Sequence, residues 1–337
     1  MSAGKPAMKA VFGAMTIGIP GIEMTRVHTL EETSALLDIH QQHGHSEVDT
    51  ARVYGQGTSE GYLGTLDPSW QARGIVMETK LYPNRGKGMS NEEYDHSPAD
   101  LRRGLLDSLK ALRADKIDMW YLHGPDRSRP FEETLREVDA LHKEGYFRRL
   151  GISNYQAWEV AQICEICSRN GWVMPSVYQG LYNAFHRVVE AELVPCLRHY
   201  GIALYVFNPL AGGFLSSRYR RDQETFEDGE RFDPKRWQGK LFHSRYWNEP
   251  MWQALEGLRP VAKKHGISEA ECAIRWLAHH SALKNELGDA VIVGASGTKH
   301  MDENLGALEQ GPLPEDVVQA LDAGWEKTRT LPLKFWH

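Results

Sequence analysis

Eight short apolar runs, most of them followed by an amphipathic helical stretch, restrict this chain to very few folds. The runs are residues 10–12, 46–48, 75–79, 117–122, 149–152, 176–179, 203–207 and 290–293. They are nearly continuous in apolar character, which predicts strands buried on both faces, the condition of a parallel sheet covered by helices. Eight strand–helix units is the number that closes such a sheet on itself, so the expected architecture is α/β, a (β/α)8 TIM barrel rather than an open doubly wound sheet. At 337 residues, 41% of them hydrophobic, the chain has core material for one barrel. No linker divides it, and residues 1–337 are expected to form a single domain.

The intervening helices carry their own signals. Ser97 is placed as an N-cap with Pro98 in the first turn, and Leu101, Leu105, Leu109 and Leu112 follow at near-helical spacing. A second helix begins at Pro130, buries Leu135, Val138 and Leu141, and stops at Gly145. Two stretches break the pattern. Residues 218–252 are charged and aromatic, with Gly229, Pro234, Gly239 and Pro250, and read as a long loop with short helices after the seventh strand. Residues 330–337, rich in proline and aromatics, are expected to dock over the active-site mouth.

Asp49, Lys80 and His123 each stand just past the end of an apolar run, and Tyr54 follows Asp49 by five residues. In a parallel barrel those strand ends converge on one face, so a carboxylate, a phenol, an ammonium and an imidazole meet in one pocket. An isolated phenol ionises near ~10, too high to match neutral pH, and a neighbouring ammonium favours the phenolate. Lys80 is expected to supply that charge, Asp49 to hold Lys80, and His123 to aim a substrate carbonyl. Any of these residues alone reads as structural; their joint appearance at successive strand ends predicts proton delivery to a carbonyl oxygen as hydride reaches its carbon.

Several functions are disfavoured. The formal charge of −6 lacks the basic excess of a nucleic-acid surface. The first residues are too short and interrupted for a secretion signal or a membrane span, which leaves a cytoplasmic expectation. Cys164 and Cys167 form a C-x-x-C inside a helical stretch and, with Cys196 and Cys272, are expected to be packing thiols. His40, His43 and His45 cluster in sequence with no carboxylate or cysteine partner expected around them, and His279 and His280 read as a surface helix end, so no metal is expected. No G-x-G-x-x-G follows the first strand, so a dinucleotide would be held by other means.

The sequence resembles the aldo-keto reductase superfamily across nearly its whole length. The likeness runs through Gly13–Thr16, Val48–Ala51 with Tyr54-Gly55, Thr79-Lys80, Tyr121–His123, Gly151–Tyr155, Tyr178-Gln179 and Asn208–Leu210. Within it, Asn208 to Gly213 and Val177 to Gly180 with Tyr182-Asn183 are similar to the branch of aflatoxin-aldehyde and succinic semialdehyde reductases. The resemblance implies NADP(H) as cofactor, Tyr54 as proton donor, Lys80 and Asp49 as its tuning pair, and His123 as the substrate-orienting group. It implies Met15, Thr16 and Asp49 at the cofactor, with Ser153, Asn154 and Gln179 on the nicotinamide carboxamide. Around the pyrophosphate it implies Asn208, Pro209, Leu210, Ala211, Gly212, Gly213, Phe214, Leu215, Ser216, Ser217 and Arg218, and a further contact from Arg231. Ser296, Gly297, Thr298, Lys299 and His300, with Glu303 and Asn304, would face the adenosine phosphate at a helix N-terminus; the arginine that many relatives carry near His300 is absent. Phe242, Arg245 and Phe335 align with substrate residues, and Arg245 suits a carboxylate-bearing aldehyde.

Three readings follow: an NADP-dependent reductase of aldehydes or ketones acting on small carbonyl substrates, possessing the branch's homodimer; a catalytically slow relative serving as a binding or regulatory subunit; and a Schiff-base lyase using Lys80. Turnover with NADPH separates the first two, and borohydride trapping on Lys80 identifies the third.

Overall fold

A computed structural model of the protein describes residues 7–226 and 230–337. The expectations for residues 1–6 and for Gly229 lie outside the described residues. Eight parallel strands close into a barrel in sequence order: β1 (Lys9–Gly13), β2 (Glu47–Asp49), β3 (Val76–Leu81), β4 (Ile117–Leu122), β5 (Phe147–Ser153), β6 (Pro175–Leu181), β7 (Ala203–Phe207) and β8 (Ala290–Val293). β1 pairs with β8 to complete the ring. Each apolar run of the sequence is one of these strands, within two residues at every boundary, as expected where side-chain pattern rather than hydrogen bonding sets the reading.

Helices follow the strands on the outside: α1 (Leu30–Gln42), α2 (Thr58–Gly64), α3 (Pro98–Leu112), α4 (Phe131–Lys143), α5 (Ala157–Asn170) and α6 (Leu193–His199). After β7 come α7 (Trp237–Tyr246), α8 (Glu249–Lys264) and α9 (Glu269–His279), and after β8 come α10 (Thr298–Leu308) and α11 (Glu315–Thr328). Their starts are set by local chemistry. Thr29 and Glu32 form a reciprocal capping box on α1, while Ser97, Asn248 and Ser268 accept from the first-turn amides of α3, α8 and α9. Gly145 lies just past α4 at φ +88°, where a side chain would be strained.

The apolar core has two compartments. The larger lies between sheet and helices and includes Leu36, Leu105, Leu141, Ile163, Leu197, Ile274 and Leu305. The smaller fills the barrel with Val11, Met119, Tyr121, Val177, Tyr205, Ala290 and Ile292. Tyr121 fits there because β5 carries Gly151 beside it: a Cβ at that position would lie 2.2 Å from the Tyr121 ring. The lower end of the barrel is polar. Glu47 accepts from the Tyr205 hydroxyl at 2.9 Å and pairs with Lys9 at 3.3 Å, and Arg149 pairs with Asp118 at 2.5 Å.

Cys164 and Cys167 are buried on α5. The histidine cluster departs from expectation. His43, at the C-cap of α1, meets Glu309 at 2.6 Å and Asp302 at 3.0 Å, both contributed by α10 and the residue after it. Those carboxylates are some 260 residues away in sequence, so only the ring closure of the barrel brings them to His43. The segment after β7 is longer than a strand–helix connection needs, and the α7 N-terminus is tied to the loop after β1 by the Gln238 amide, which donates to Glu23 at 2.6 Å.

Candidate active site

Register decides what meets at the C-terminal rim. Asp49 on β2 stands beside Glu78 on β3, Lys80 on β3 beside Tyr121 on β4, and Ser153 on β5 beside Gln179 on β6. Because side chains alternate along a strand, Glu78 and Lys80 share a face, with Lys80 nearer the rim. The Lys80 ammonium donates to both Asp49 oxygens at 2.6 Å and to the Thr50 carbonyl at 2.7 Å. Its three protons are thereby engaged, and Lys80 is fully buried. Burial opposes its charge, but the Asp49 carboxylate, through its charge and its hydrogen bonds, outweighs that and holds the pKa above the ordinary value. An amine kept in this state has no free lone pair, which disfavours the Schiff-base reading.

Tyr54 opens a 3-10 turn just beyond β2. The Lys80 ammonium lies 4.8 Å from the centre of its ring, and the His123 ring meets it edge-to-face at 5.7 Å. Lys80 pulls the pKa of the phenol down, as the sequence led us to expect, but burial outweighs it and the phenol is not acidified on balance. Burial raises the Tyr54 pKa most, Lys80 lowers it, Asp49 raises it again, and the net direction is upward. Tyr54 is therefore an acid at neutral pH. His123 is displaced the other way: burial, then the charges of Lys80 and His337, push it well below its ordinary value and keep the imidazole neutral. Its Nδ1 is buried with no hydrogen-bond partner among the described residues.

The loop that carries Tyr54 is fixed from beneath. Glu60, fully buried on α2, accepts from Arg52 and from Thr79 at 2.6 Å each, and Ser59 joins Thr50 to the Ala14 carbonyl at 2.9 Å on both sides. These supports were missed in the sequence, as were Tyr82, whose ring packs on His123 at 5.5 Å, and His337, which packs on Tyr82 at 5.5 Å. Glu78 was missed too, although its position two residues before Lys80 marks it as facing the same interior. It accepts from Tyr121 at 3.1 Å, and burial together with Glu47 and Asp49 raises its pKa well above the ordinary carboxyl range. It sits below the reactive group, with Arg149 3.7 Å away.

Of the other residues singled out in the sequence, Gln179 donates to Asp49 at 2.9 Å, and the Asn154 amide donates to the His123 carbonyl at 2.8 Å and to Ser153 at 3.0 Å. Gln179 thus touches a reactive side chain, Asn154 meets the backbone of His123, and Ser153 stands behind Asn154. Met15 and Thr16 form a 3-10 turn after β1, with Thr16 donating to the Ala295 carbonyl at 2.7 Å. Asn208, Pro209 and Leu210 leave β7 into a tight turn at Ala211–Gly213. Gly212 there has φ +73°, and a Cβ would come within 2.1 Å of the Phe242 ring. Phe214 and Leu215 are fully buried, with Phe214 against Trp252 at 4.7 Å. Ser216 donates to the Gly213 carbonyl at 2.6 Å, Ser217 is exposed, and Arg218 donates to Glu230 at 2.8 Å.

Phe242 is 4% exposed, with Arg231 5.5 Å from its ring. It thus packs onto the Gly212 turn and Arg231, a placement its alignment with substrate residues did not suggest. Arg245 lies three residues on along α7. Phe335 is partly buried on the core. At the far edge, Ser296 and Gly297 lead into α10, whose first turn, with Thr298, Lys299 and His300, has no acidic residue and no side-chain cap. Lys299 pairs with Glu303 at 3.8 Å, Ser296 meets His300 at 3.2 Å, and Asn304 is buried.

The C-terminal residues border this rim. The His337 amide donates to the Asn154 carbonyl at 3.4 Å, and Arg127 donates to the His337 carbonyl at 3.0 Å. Burial, followed by Arg245, Lys87 and Arg127, pushes the His337 imidazole down to about 4. Of these cations Arg127 is paired with Glu159 at 2.7 Å.

Comparison with known proteins agrees with this geometry. The Aldo/keto reductase family model matches residues 9–326. The chain is 49% identical over 338 residues to aldo-keto reductase pigE of Monascus ruber, covering 99% of this chain and 98% of that protein. It is 41% identical over 311 residues to aflatoxin B1 aldehyde reductase member 2 of Mus musculus, covering 90% and 83%. Aldo-keto reductase family 7 member A3 of Homo sapiens is 40% identical over 332 residues, covering 96% and 95%.

Proposed function

This chain belongs to the aldo/keto reductase family, and from that premise we propose that it is an NADPH-dependent reductase of small aldehydes and ketones in which Tyr54 delivers the proton. The observation that carries the reading is the buried Lys80 ammonium, clamped by Asp49 at 2.6 Å and lying 4.8 Å from the Tyr54 ring, with His123 edge-on to the same ring.

The chain's residues suit a phosphorylated dinucleotide. The turn at Gly212 has no room for a side chain, which permits close approach of the backbone, and the α10 N-terminus has no acid in its first turn. Gly212 and its neighbours would hold the pyrophosphate, Lys299 and His300 the adenosine phosphate, and Ser153, Asn154 and Gln179 the carboxamide. Bound there, the nicotinamide supplies the hydride. Gly212→Ala is expected to weaken NADPH binding by tenfold or about that, because the positive φ and the Phe242 ring both oppose a Cβ. Fluorescence titration with NADPH checks this, and an unchanged dissociation constant rejects the assignment.

The chemical step follows from the protonation states. Neutral His123 donates to the carbonyl oxygen and orients it toward Tyr54. As negative charge develops on that oxygen, Tyr54 gives up its proton, and Lys80 stabilises the phenolate left behind. Asp49 and the Thr50 carbonyl keep Lys80 in position throughout. Turnover of an aldehyde panel with NADPH tests the reading; saturable binding of NADPH without turnover of any carbonyl would favour the binding-subunit alternative.

Arg245 gives the site a preference for carboxylate-bearing aldehydes, since a guanidinium recognises a carboxylate through two parallel hydrogen bonds. Arg245→Ala is expected to raise KM for succinic semialdehyde at least tenfold, on the order of one lost charged hydrogen-bond pair, and to leave KM for an uncharged aromatic aldehyde nearly unchanged. Equal effects on the two substrates would remove Arg245 from this role.

A further inference from the structure

We propose that Arg52 is a positioning residue for the proton transfer: its guanidinium, gripped by Glu60 on one side and Glu92 on the other, is the post around which the turn carrying Tyr54 is wound. The proposal rests on the reductase reading and adds to it a residue outside the four reactive side chains.

The turn needs such a post. Gly55, Gln56 and Gly57, the three residues after Tyr54, all have positive φ, at +55°, +56° and +88°. Gln56 carries a side chain in a backbone conformation that disfavours one, so the turn persists only where its surroundings fix it. Local bonds supply part of this. The Thr58 hydroxyl donates to the Gly55 carbonyl at 2.6 Å, and Asn91 donates to the Gln56 side chain at 3.2 Å. The guanidinium supplies the rest. A Cβ on Gly57 would lie 2.9 Å from both terminal nitrogens of Arg52, so the turn closes directly onto them.

The guanidinium is itself held from both sides. One Nη donates to Glu60 at 2.6 Å, while Nε and the other Nη donate to Glu92 at 3.1 and 2.6 Å. Glu60 is fully buried, and its second oxygen accepts at 2.6 Å from Thr79, the residue before Lys80. The Arg52 amide also donates to the Lys80 carbonyl at 3.0 Å. The turn of Tyr54 and the strand end of Lys80 are therefore referenced to one buried carboxylate, with Arg52 as the link on the Tyr54 side. Glu92 is fixed in turn within the segment between β3 and α3. Its carbonyl accepts from the Asn84 amide at 2.8 Å and its carboxylate from the Tyr94 hydroxyl at 2.8 Å. The Arg52 side chain bonds to carboxylates and to no reactive group, so it acts on the reaction only by where it places Tyr54 against Lys80 and His123. A lysine has one nitrogen and cannot span the two carboxylates in a planar fork.

Two variants test this. Arg52→Lys keeps a positive charge beside buried Glu60 and loses the fork, and Glu92→Gln loosens the half-exposed side of the grip without stranding a buried charge. Since a misplacement of about 1 Å costs about 10² in rate, kcat is expected to fall at least about tenfold in Arg52→Lys and about threefold in Glu92→Gln. KM for the aldehyde and the dissociation constant for NADPH are expected to stay within about twofold of the wild type in both. Amide hydrogen exchange is expected to quicken at residues 54–58 in Arg52→Lys and to be unchanged along β3 and β4. A purely structural role would lower the urea midpoint and leave kcat per folded molecule unchanged. Equal kcat per folded molecule in the wild type and both variants therefore overturns the proposal. So does unchanged exchange at the turn in Arg52→Lys, or a weakening of NADPH or aldehyde binding that accounts for the whole loss of activity. Wild-type turnover separates this from the broader reading: its absence defeats the reductase assignment and this role with it, whereas turnover that neither variant alters removes Arg52 alone.

Discussion

Lys80→Met is expected to lower kcat for carbonyl reduction by a factor on the order of 10³, which is about 4 kcal/mol of lost transition-state stabilisation. It is also expected to destabilise the fold. Asp49 is 2% exposed and receives two of the three Lys80 hydrogen bonds, so methionine would leave a buried carboxylate without its countercharge. Breaking such a pair from one side costs roughly 3–5 kcal/mol. Gln179, still donating to Asp49 at 2.9 Å, offsets part of this. The two losses separate in the double variant Lys80→Met with Asp49→Leu, which removes both charges: stability returns in large part and activity does not. Urea denaturation and steady-state turnover measure the two. An unfolding midpoint for Lys80→Met equal to that of the wild type would show that the pair is not a buried, mutually dependent one.

Tyr54→Phe should have an effect of similar size on chemistry and little on stability. Removing a positioned general acid costs 10²–10⁴ in rate as an order of magnitude. The packing is retained because the ring contacts to Lys80 and His123 do not involve the hydroxyl. The direction of the Tyr54 pKa adds a pH signature. The group is raised above its ordinary ~10 by burial, so the protonated phenol that carbonyl reduction needs persists through neutral pH and beyond. Reduction is expected to show no loss attributable to Tyr54 across that range, and to fall only as pH rises through the raised pKa. Alcohol oxidation, which needs the phenolate, is expected to rise with pH over the same interval. A reduction rate that falls with a midpoint near neutrality, and loses that midpoint in Tyr54→Phe, would contradict the sign of the shift.

Much of this arrangement was legible in the residues because it depends on strand ends. All eight strands could be read from apolar runs, and parallel register then brings Asp49, Lys80 and His123 to one rim without further information. Ser97 and Gly145 were legible for a local reason, since caps and stops act within one turn. What escaped the sequence depends on distance. His43 meets Asp302 and Glu309 only after the barrel closes, and Glu60 reaches Thr79 only once α2 lies against β3. The sign of the Tyr54 shift escaped for an energetic reason. A neighbouring ammonium is visible as a residue, whereas the burial that outweighs it is a property of the whole pocket. Phe242 was placed by its likeness to other chains, which gives position along the chain but not which side of α7 faces the mouth.

The central claim is that one buried phenol supplies the proton. A single-turnover experiment tests it most directly: enzyme loaded with NADPH is mixed with excess aldehyde, and NADPH absorbance is followed for the wild type and Tyr54→Phe after equal loading has been verified by titration. The account predicts rapid loss of NADPH absorbance in the wild type and a rate lower by about 10² or more in Tyr54→Phe. Equal rates in the two proteins at equal NADPH occupancy would contradict it.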